Sequence, residues 1–165
     1  MSSPDRPRLS RRLLLALPLV LTACGFEPVY GPGCSGSALQ NRVSVEEPET
    51  RDGYILTREI ETRLGRSSAP TYALALSAAT RADGLNIDRS GNINRYNLLG
   101  SVDYALRDLD SGVVLASGKV ENFTGYSTTG STVATLAAET DARERLMTIL
   151  ADQIVARLLA ADLAQ

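Results

Sequence analysis

The sequence predicts an α+β protein. The expected form is a two-layer α/β sandwich of about four mostly antiparallel strands, with two helices on one face, in the order β-α-β-β-β-α. Three observations carry this. Apolar residues alternate with small or polar ones over three stretches between Tyr72 and Phe123, the period of a strand with one buried face. Apolar residues recur every three or four positions over 56–64 and 146–158, the period of a helix with one buried stripe. Two clusters rich in Asp, Asn, Ser and Gly separate the alternating stretches, and such residues close hairpins. A sheet with one apolar face needs a cover, and the two helices supply it.

In chain order, Val43-Ser44-Val45-Glu46 alternates and reads as a short strand that Pro48 ends. Leu56, Ile60 and Leu64 then repeat every four residues, with Gly65 as the stop; this is an amphipathic helix of about three turns. Arg58, Glu59, Glu61 and Arg63 cover its outer faces, as ordinary solvation. Tyr72, Leu74, Leu76 and Ala78 alternate with Ala73, Ala75, Ser77 and Ala79, a strand with one large and one small face. Leu85-Asn86-Ile87 leads to Asp88-Arg89-Ser90-Gly91-Asn92, a hairpin tip in which Gly91 and Asn92 tolerate positive φ.

The next strand runs from Asn94 to Leu106. Tyr96, Leu98, Val102, Tyr104 and Leu106 lie on one side, and Arg95, Asn97, Ser101 and Asp103 on the other. Asp110-Ser111-Gly112 centres a tight turn. Val113 to Phe123 returns as a strand, with Val113, Leu115 and Phe123 on one side and Val114, Ala116 and Val120 on the other. Tyr126 to Ser131 reads as a connector. Thr132 to Ala161 is the longest helical signal, with Leu146, Ile149, Leu150, Ile154 and Leu158 as its apolar stripe and no Gly or Pro inside it.

Composition narrows the chemistry. The 165 residues suit one domain, and a hydrophobic share of 44% is enough for a real core. The chain has no His, which excludes Ser-His-Asp and Cys-His nucleophile pairs and imidazole zinc sites. The two cysteines, Cys24 and Cys34, cannot make a four-cysteine site. The carboxylates are scattered, with no spacing that pairs two for acid–base work, and there is no Gly-rich phosphate loop or nucleophile elbow. No enzymatic activity and no cofactor are expected.

The first 23 residues set the compartment. Residues 1–12 are polar and basic, and Leu13 to Leu21 is an apolar run. Nine residues fall short of the roughly 20 that a membrane-spanning helix needs, but they fit the apolar region of a secretory signal. Leu21-Thr22-Ala23-Cys24 resembles the bacterial lipobox, in which Cys24 receives diacylglycerol and becomes the first residue after cleavage. Several acyl chains anchor firmly, at about 0.8 kcal/mol per buried methylene. Gly25 follows where an Asp would mark retention in the inner membrane, so the expected destination is the outer membrane. Ser10-Arg11-Arg12 with Leu14 also looks like a degenerate twin-arginine signal; a basic leader for the general secretion route is the preferred reading.

The expected organisation is thus a signal peptide at 1–23, a lipidated flexible tether at 24–42 and a folded domain at 43–165. The tether assignment rests on its Gly, Ser and Pro content. Cys34 within it is a free thiol, a partner for another protein, or an incidental linker residue. Residues 1–23 hold four Arg and one Asp, so the chain from Cys24 onward has 13 basic and 18 acidic residues, a net charge of −5. That balance argues against nucleic acid as a partner. The cations that stand out are Arg89 and Arg95 near the first hairpin tip and Lys119, the only Lys. A guanidinium fork suits phosphate, while charges on a strand edge also block edge pairing.

The whole layout resembles the lipopolysaccharide-assembly lipoprotein family LptE. The resemblance is carried by the lipobox, by Cys24-Gly25-Phe26 with Pro28 and Tyr30, and by the strand–helix at Val43 to Leu64. Arg89 to Tyr96 leading into a long strand, the hairpin at Gly112, and the last helix with Ala134, Ala142 and Leu150 continue it. Arg95-Tyr96-Asn97-Leu98 and the run 137–142 are similar to alphaproteobacterial members. The resemblance implies a non-catalytic two-layer sandwich that sits inside the outer-membrane β-barrel LptD as plug and assembly partner, and that binds lipopolysaccharide. It implies that Arg89 meets lipopolysaccharide phosphates. A second basic position, implied near the start of the last helix, has no counterpart, since Thr132 to Thr140 hold no Lys or Arg.

Two readings from other classes stand beside this one. The first is a pilotin or structural lipoprotein of another envelope complex. The second is a stand-alone lipid-binding lipoprotein with a pocket between sheet and helices. Arg89→Glu tests the lipid contact: lipopolysaccharide binding is expected to weaken in a direct binding assay, and unchanged binding removes Arg89 from the contact.

Overall fold

Among the described residues, four strands lie side by side in chain order, and three helices accompany them. The structure is a computed structural model that describes residues 35–87, 91, 93–128 and 130–161. The elements are α1 (Ser35–Leu39), β1 (Val43–Val45), α2 (Arg51–Leu64), β2 (Tyr72–Ile87), β3 (Ile93–Asp108), β4 (Val114–Ser127) and α3 (Thr132–Ala160). β1 pairs in parallel with β2, while β2–β3 and β3–β4 are antiparallel. α2 and α3 pack together and against the same sheet face, which gives the expected two layers.

Alternation decides which face is covered. Along β3 the even positions point inward: Leu98, Val102 and Leu106 are essentially without exposure, and Tyr104 is buried. Leu74 of β2 and Val120 of β4 join them from the flanking strands, and α3 closes the layer with Leu146, Leu150, Ile154 and Leu158. α3 also buries Ala142, Met147, Ala151 and Val155, so its stripe is wider than the apolar period alone suggests. α2 contributes Ile55, Leu56, Ile60 and Leu64. Its start is capped by Thr50, whose hydroxyl accepts from Gly53 N–H at 3.0 Å, satisfying one of the free amides of the first turn.

The helix approaches the sheet most closely at Gly100. A Cβ there would stand 2.9 Å from Leu146 Cδ2 and 3.0 Å from Leu150 Cδ1. Two ion-paired struts set α2 beside α3. Arg143 of α3 donates to Asp52 at 2.9 Å and to Glu139 at 3.1 Å, and Thr80 of β2 donates to the same Asp52 carboxylate at 2.9 Å. Near the other helix ends, Arg63 reaches Asp152 and donates to Glu59 at 3.0 Å. That hydrogen bond from Arg63 holds the Glu59 carboxyl below its ordinary 4.5. The stability this pair contributes is therefore present above that pH and lost as pH falls below it.

Several boundaries differ from the expectation, each for a local reason. α1 lies inside the stretch expected to be tether, and Leu39 is fully buried in the core, so the folded part begins before residue 43. One leucine among Gly, Ser and Pro carries no period. β2 continues to Ile87 through a bulge at Leu85, where the pairing shifts between Gly84 and Asn86. β4 extends to Ser127, so Tyr126 belongs to the strand and stacks on Tyr96 with ring centroids 5.4 Å apart. A bulge at Leu115 places Val114 opposite Arg107, on the outward face, where it is 42% exposed. Val114 therefore does not share a side with Ala116 and Val120, because one extra residue reverses the alternation. The turn at Asp108 to Val113 is as expected, with Gly112 at φ 71° and Ser111 N–H bonded to the Asp108 carboxylate at 2.8 Å.

Gly100→Val is expected to lower stability by about 1–3 kcal/mol in urea unfolding, because two leucines must leave their positions. An unchanged midpoint contradicts this packing.

Candidate functional site

The face of the sheet opposite α2 and α3 is the candidate site. The odd positions of β3 and their neighbours pave it in rows. From one end these are Ala73–Arg107–Val114, Ala75–Ala105–Ser117, Ser77–Asp103–Lys119, Ala79–Ser101–Glu121, Arg81–Leu99–Phe123 and Asp83–Asn97–Gly125. From Ala73 to Ala79 β2 contributes only small side chains to its half of this surface, which keeps that part flat, and Arg81 and Asp83 follow. Phe123 stands on it at 60% exposure beside half-buried Leu99. With Ala79, Ser101, Arg81 and Glu121 they line a shallow concavity of about 480 Å³.

Size separates this surface from an accidental patch. Strands of this length reach about 50 Å, and three of them span about 14 Å with their side chains. That makes roughly 700 Å² on a flat estimate, near the ~800 Å² per partner of a stable protein interface. An exposed aromatic beside a surface of small residues has the composition of an interface anchor. Sequence reading places Phe123 opposite Val120 in alternation but assigns it no role. The available signal is its company: Ser117, Lys119, Glu121, Gly125 and Ser127 are the other odd positions of β4 beyond the bulge at Leu115, and one phenylalanine among them has no core to enter.

The expected cations do not converge. Cys24 and Arg89 lie outside the described residues. Arg95 is exposed, near the end of the sheet where β2 and β3 connect, on the same face as Lys119. Lys119 lies opposite Asp103, eight residues further along β3, which separates the two by roughly 27 Å. The Lys119 ammonium is engaged by Glu121 at 2.8 Å. That hydrogen bond raises the Lys119 pKa above 10.5 and lowers that of Glu121 below 4.5, with Asp103 adding to the effect on the lysine. Arg81 is likewise engaged by Asp83 at 2.9 Å. The centre of the face thus carries compensated charge, and Arg95 is a cation that makes no ion pair with another described residue.

Among the described residues no group of three or more His, Cys, Asp or Glu lies together, and no helix is long and apolar enough to cross a membrane. The partly buried ionic cluster of Arg143, Asp52, Thr80 and Glu139 is closed on itself through the hydrogen bonds given above; it joins α2, β2 and α3, and Asp52, Glu139 and Arg143 also line a concavity of about 310 Å³.

Comparison with known proteins agrees with this geometry. The family model described as lipopolysaccharide-assembly, LptE, matches residues 40–158. The crystal structure of a putative lipoprotein from Caulobacter crescentus is similar with a TM-score of 0.65 at 27% identity, covering 76% of this chain and 93% of that one. A minor lipoprotein from Acinetobacter baumannii shares the fold with a TM-score of 0.59 at 20% identity, over 73% of this chain and 91% of its own. The rare lipoprotein B from Shewanella oneidensis does so with a TM-score of 0.57 at 15% identity, over 73% and 94%. No curated protein matches the chain at a significant level.

Proposed function

The chain belongs to the LptE lipopolysaccharide-assembly family, and from that premise we propose that it is a non-catalytic lipoprotein that plugs the LptD barrel and assists its assembly. On this reading an acylated Cys24 anchors it to the periplasmic leaflet of the outer membrane, and the barrel it fills inserts lipopolysaccharide. The observation that carries the reading is the sheet face left uncovered among the described residues, with exposed Phe123 on its β4 edge. A flat surface of small and charge-compensated residues can slide along a barrel wall and seat one aromatic against it. The sheet is also long enough. At about 50 Å it exceeds the roughly 30 Å hydrocarbon thickness that a barrel must cross.

The direction of insertion follows from where the chain enters the fold. β1 begins opposite Tyr72, and Tyr72 lies opposite Asp108, so the anchored end of the sheet is the end with the β3–β4 turn. The β2–β3 connection is at the far end. A domain held to the periplasmic leaflet would present that far end toward the outer leaflet. Arg89 and Arg95 are the residues we assign to lipopolysaccharide phosphates there. Lys119, near the middle and engaged by Glu121, contributes charge balance instead. A stand-alone lipid carrier would need room between sheet and helices, and that space is filled by Leu98, Val102, Leu146 and Leu150.

Detergent extraction of the tagged full-length protein is expected to recover a stoichiometric LptD barrel, and depletion is expected to lower the amount of folded barrel. Phe123→Glu is expected to change stability by no more than about 0.5 kcal/mol, yet to weaken barrel binding by about 30-fold, the loss of one anchor residue. Normal barrel levels and unchanged surface lipopolysaccharide after depletion contradict the proposal.

A further inference from the structure

The end of the fold that receives the chain from Cys24 carries an apolar tip. Three residues of the β3–β4 turn and the strand start face outward: Leu109 at 48% exposure, Val113 at 47% and Val114 at 42%. Backbone hydrogen bonds tie this tip directly to the point where the chain enters the sheet. Thr71 N–H donates to Arg42 C=O at 2.9 Å, Leu109 N–H donates to Thr71 C=O at 2.9 Å, and Asp108 N–H donates to Val113 C=O at 2.9 Å. The tip is therefore rigidly coupled to residue 42 and cannot swing away from it.

Chain length fixes what lies next to that tip. Ten residues separate Cys24 from Ser35, and such a segment can span at most about 40 Å. The opposite end of the sheet is about 50 Å from the turn. An anchor at Cys24 thus lets the turn reach its bilayer, whereas an inverted pose with the far end on the membrane would need more than the full length of the segment. The rim suits a phospholipid surface. Exposed Arg42 and Arg107 stand against exposed Asp110, while the Asp108 carboxylate accepts from Ser111 N–H and Oγ, each at 2.8 Å. Nearly balanced charge does not depend on anionic headgroups, and apolar side chains on a tight turn enter the headgroup boundary without exposing unpaired backbone.

We propose that the β3–β4 turn inserts Leu109, Val113 and Val114 into the phospholipid leaflet that holds the acyl anchor, before the domain enters a barrel. The turn would then act as a second, protein contact that stands the sheet upright on the membrane. This rests on the reading of Cys24 as acylated. The insertion depth expected for such a contact is about 5–10 Å.

The test uses the full-length acylated chain in a Cys34→Ser background, on vesicles of phosphatidylethanolamine and phosphatidylglycerol with brominated acyl chains. A polarity-sensitive fluorophore is attached at Val113→Cys, at Leu109→Cys, or at Val133→Cys on the opposite end, where Val133 is 78% exposed. The labels at Val113 and Leu109 are expected to shift to the blue and to be quenched by bromine, at low and high salt alike, and the label at Val133 to stay unquenched. Vesicle-bound protein with both turn labels unquenched overturns the proposal and leaves the anchor reading standing. Equal quenching at Val133 also overturns it, because the turn is then not selected. Protein that does not float with the vesicles overturns the proposal together with the anchor reading.

Discussion

Where α3 crosses β3, Leu146 and Leu150 lie against Gly100 with no side chain between them. That contact lets a 29-residue helix run close along a sheet whose inward positions are otherwise large. Everything apolar and bulky can then be placed on one side: the even positions of the strands, the stripe of α3 and the four buried residues of α2. A glycine in the middle of a strand costs backbone entropy and side-chain packing, and here that cost is offset by the close seating of two leucines. The ionic struts at Arg143–Asp52 and Arg63–Asp152 hold α2 in parallel beside α3, so both helices cover the same face.

Concentrating the core on one side leaves the other face of the sheet without a cover. In an independent soluble domain such a face would be uniformly polar. Here it is largely small and charge-compensated, with an exposed Phe123 next to Leu99. On the proposed reading the combination reconciles two demands, solubility during transit and an apolar contact on arrival. The bulges at Leu85 and Leu115 also matter, because they twist and interrupt strand edges that would otherwise invite pairing with another chain. The two ends of the sheet also differ: one receives the chain at residue 42, and the other carries Arg95.

Much of this is legible in the residues, and the limits have physical causes. β3 can be read directly, because Leu98, Val102, Tyr104 and Leu106 alternate with polar neighbours under a helix that buries them. α3 can be read because its stripe recurs for four turns without Gly or Pro. The second half of β2 is harder, since Arg81 and Asp83 pair with each other and few apolar residues mark the strand. Val114 is misplaced by any reading that assumes unbroken alternation, since a bulge is a property of the paired strand and not of one sequence. Leu39 is invisible as core because a single residue has no period. The charges mislead most. Lys119 looks available in sequence, yet Glu121 two residues further along the same strand engages it, and the register adds Asp103 from β3. Phe123 carries the strongest docking signal on the face, and it emerges only once the covered side is known.

The central claim is that the uncovered face of the sheet, and not the helical face, meets the barrel wall. Site-specific photo-crosslinking in cells tests it most directly, with a photoreactive amino acid at Phe123 and, separately, at Ala156, an exposed position on α3. The account predicts a strong covalent adduct with the LptD barrel from position 123 and a weaker or absent one from position 156. An adduct from 156 with none from 123, or no barrel adduct from either in cells that assemble lipopolysaccharide normally, contradicts it.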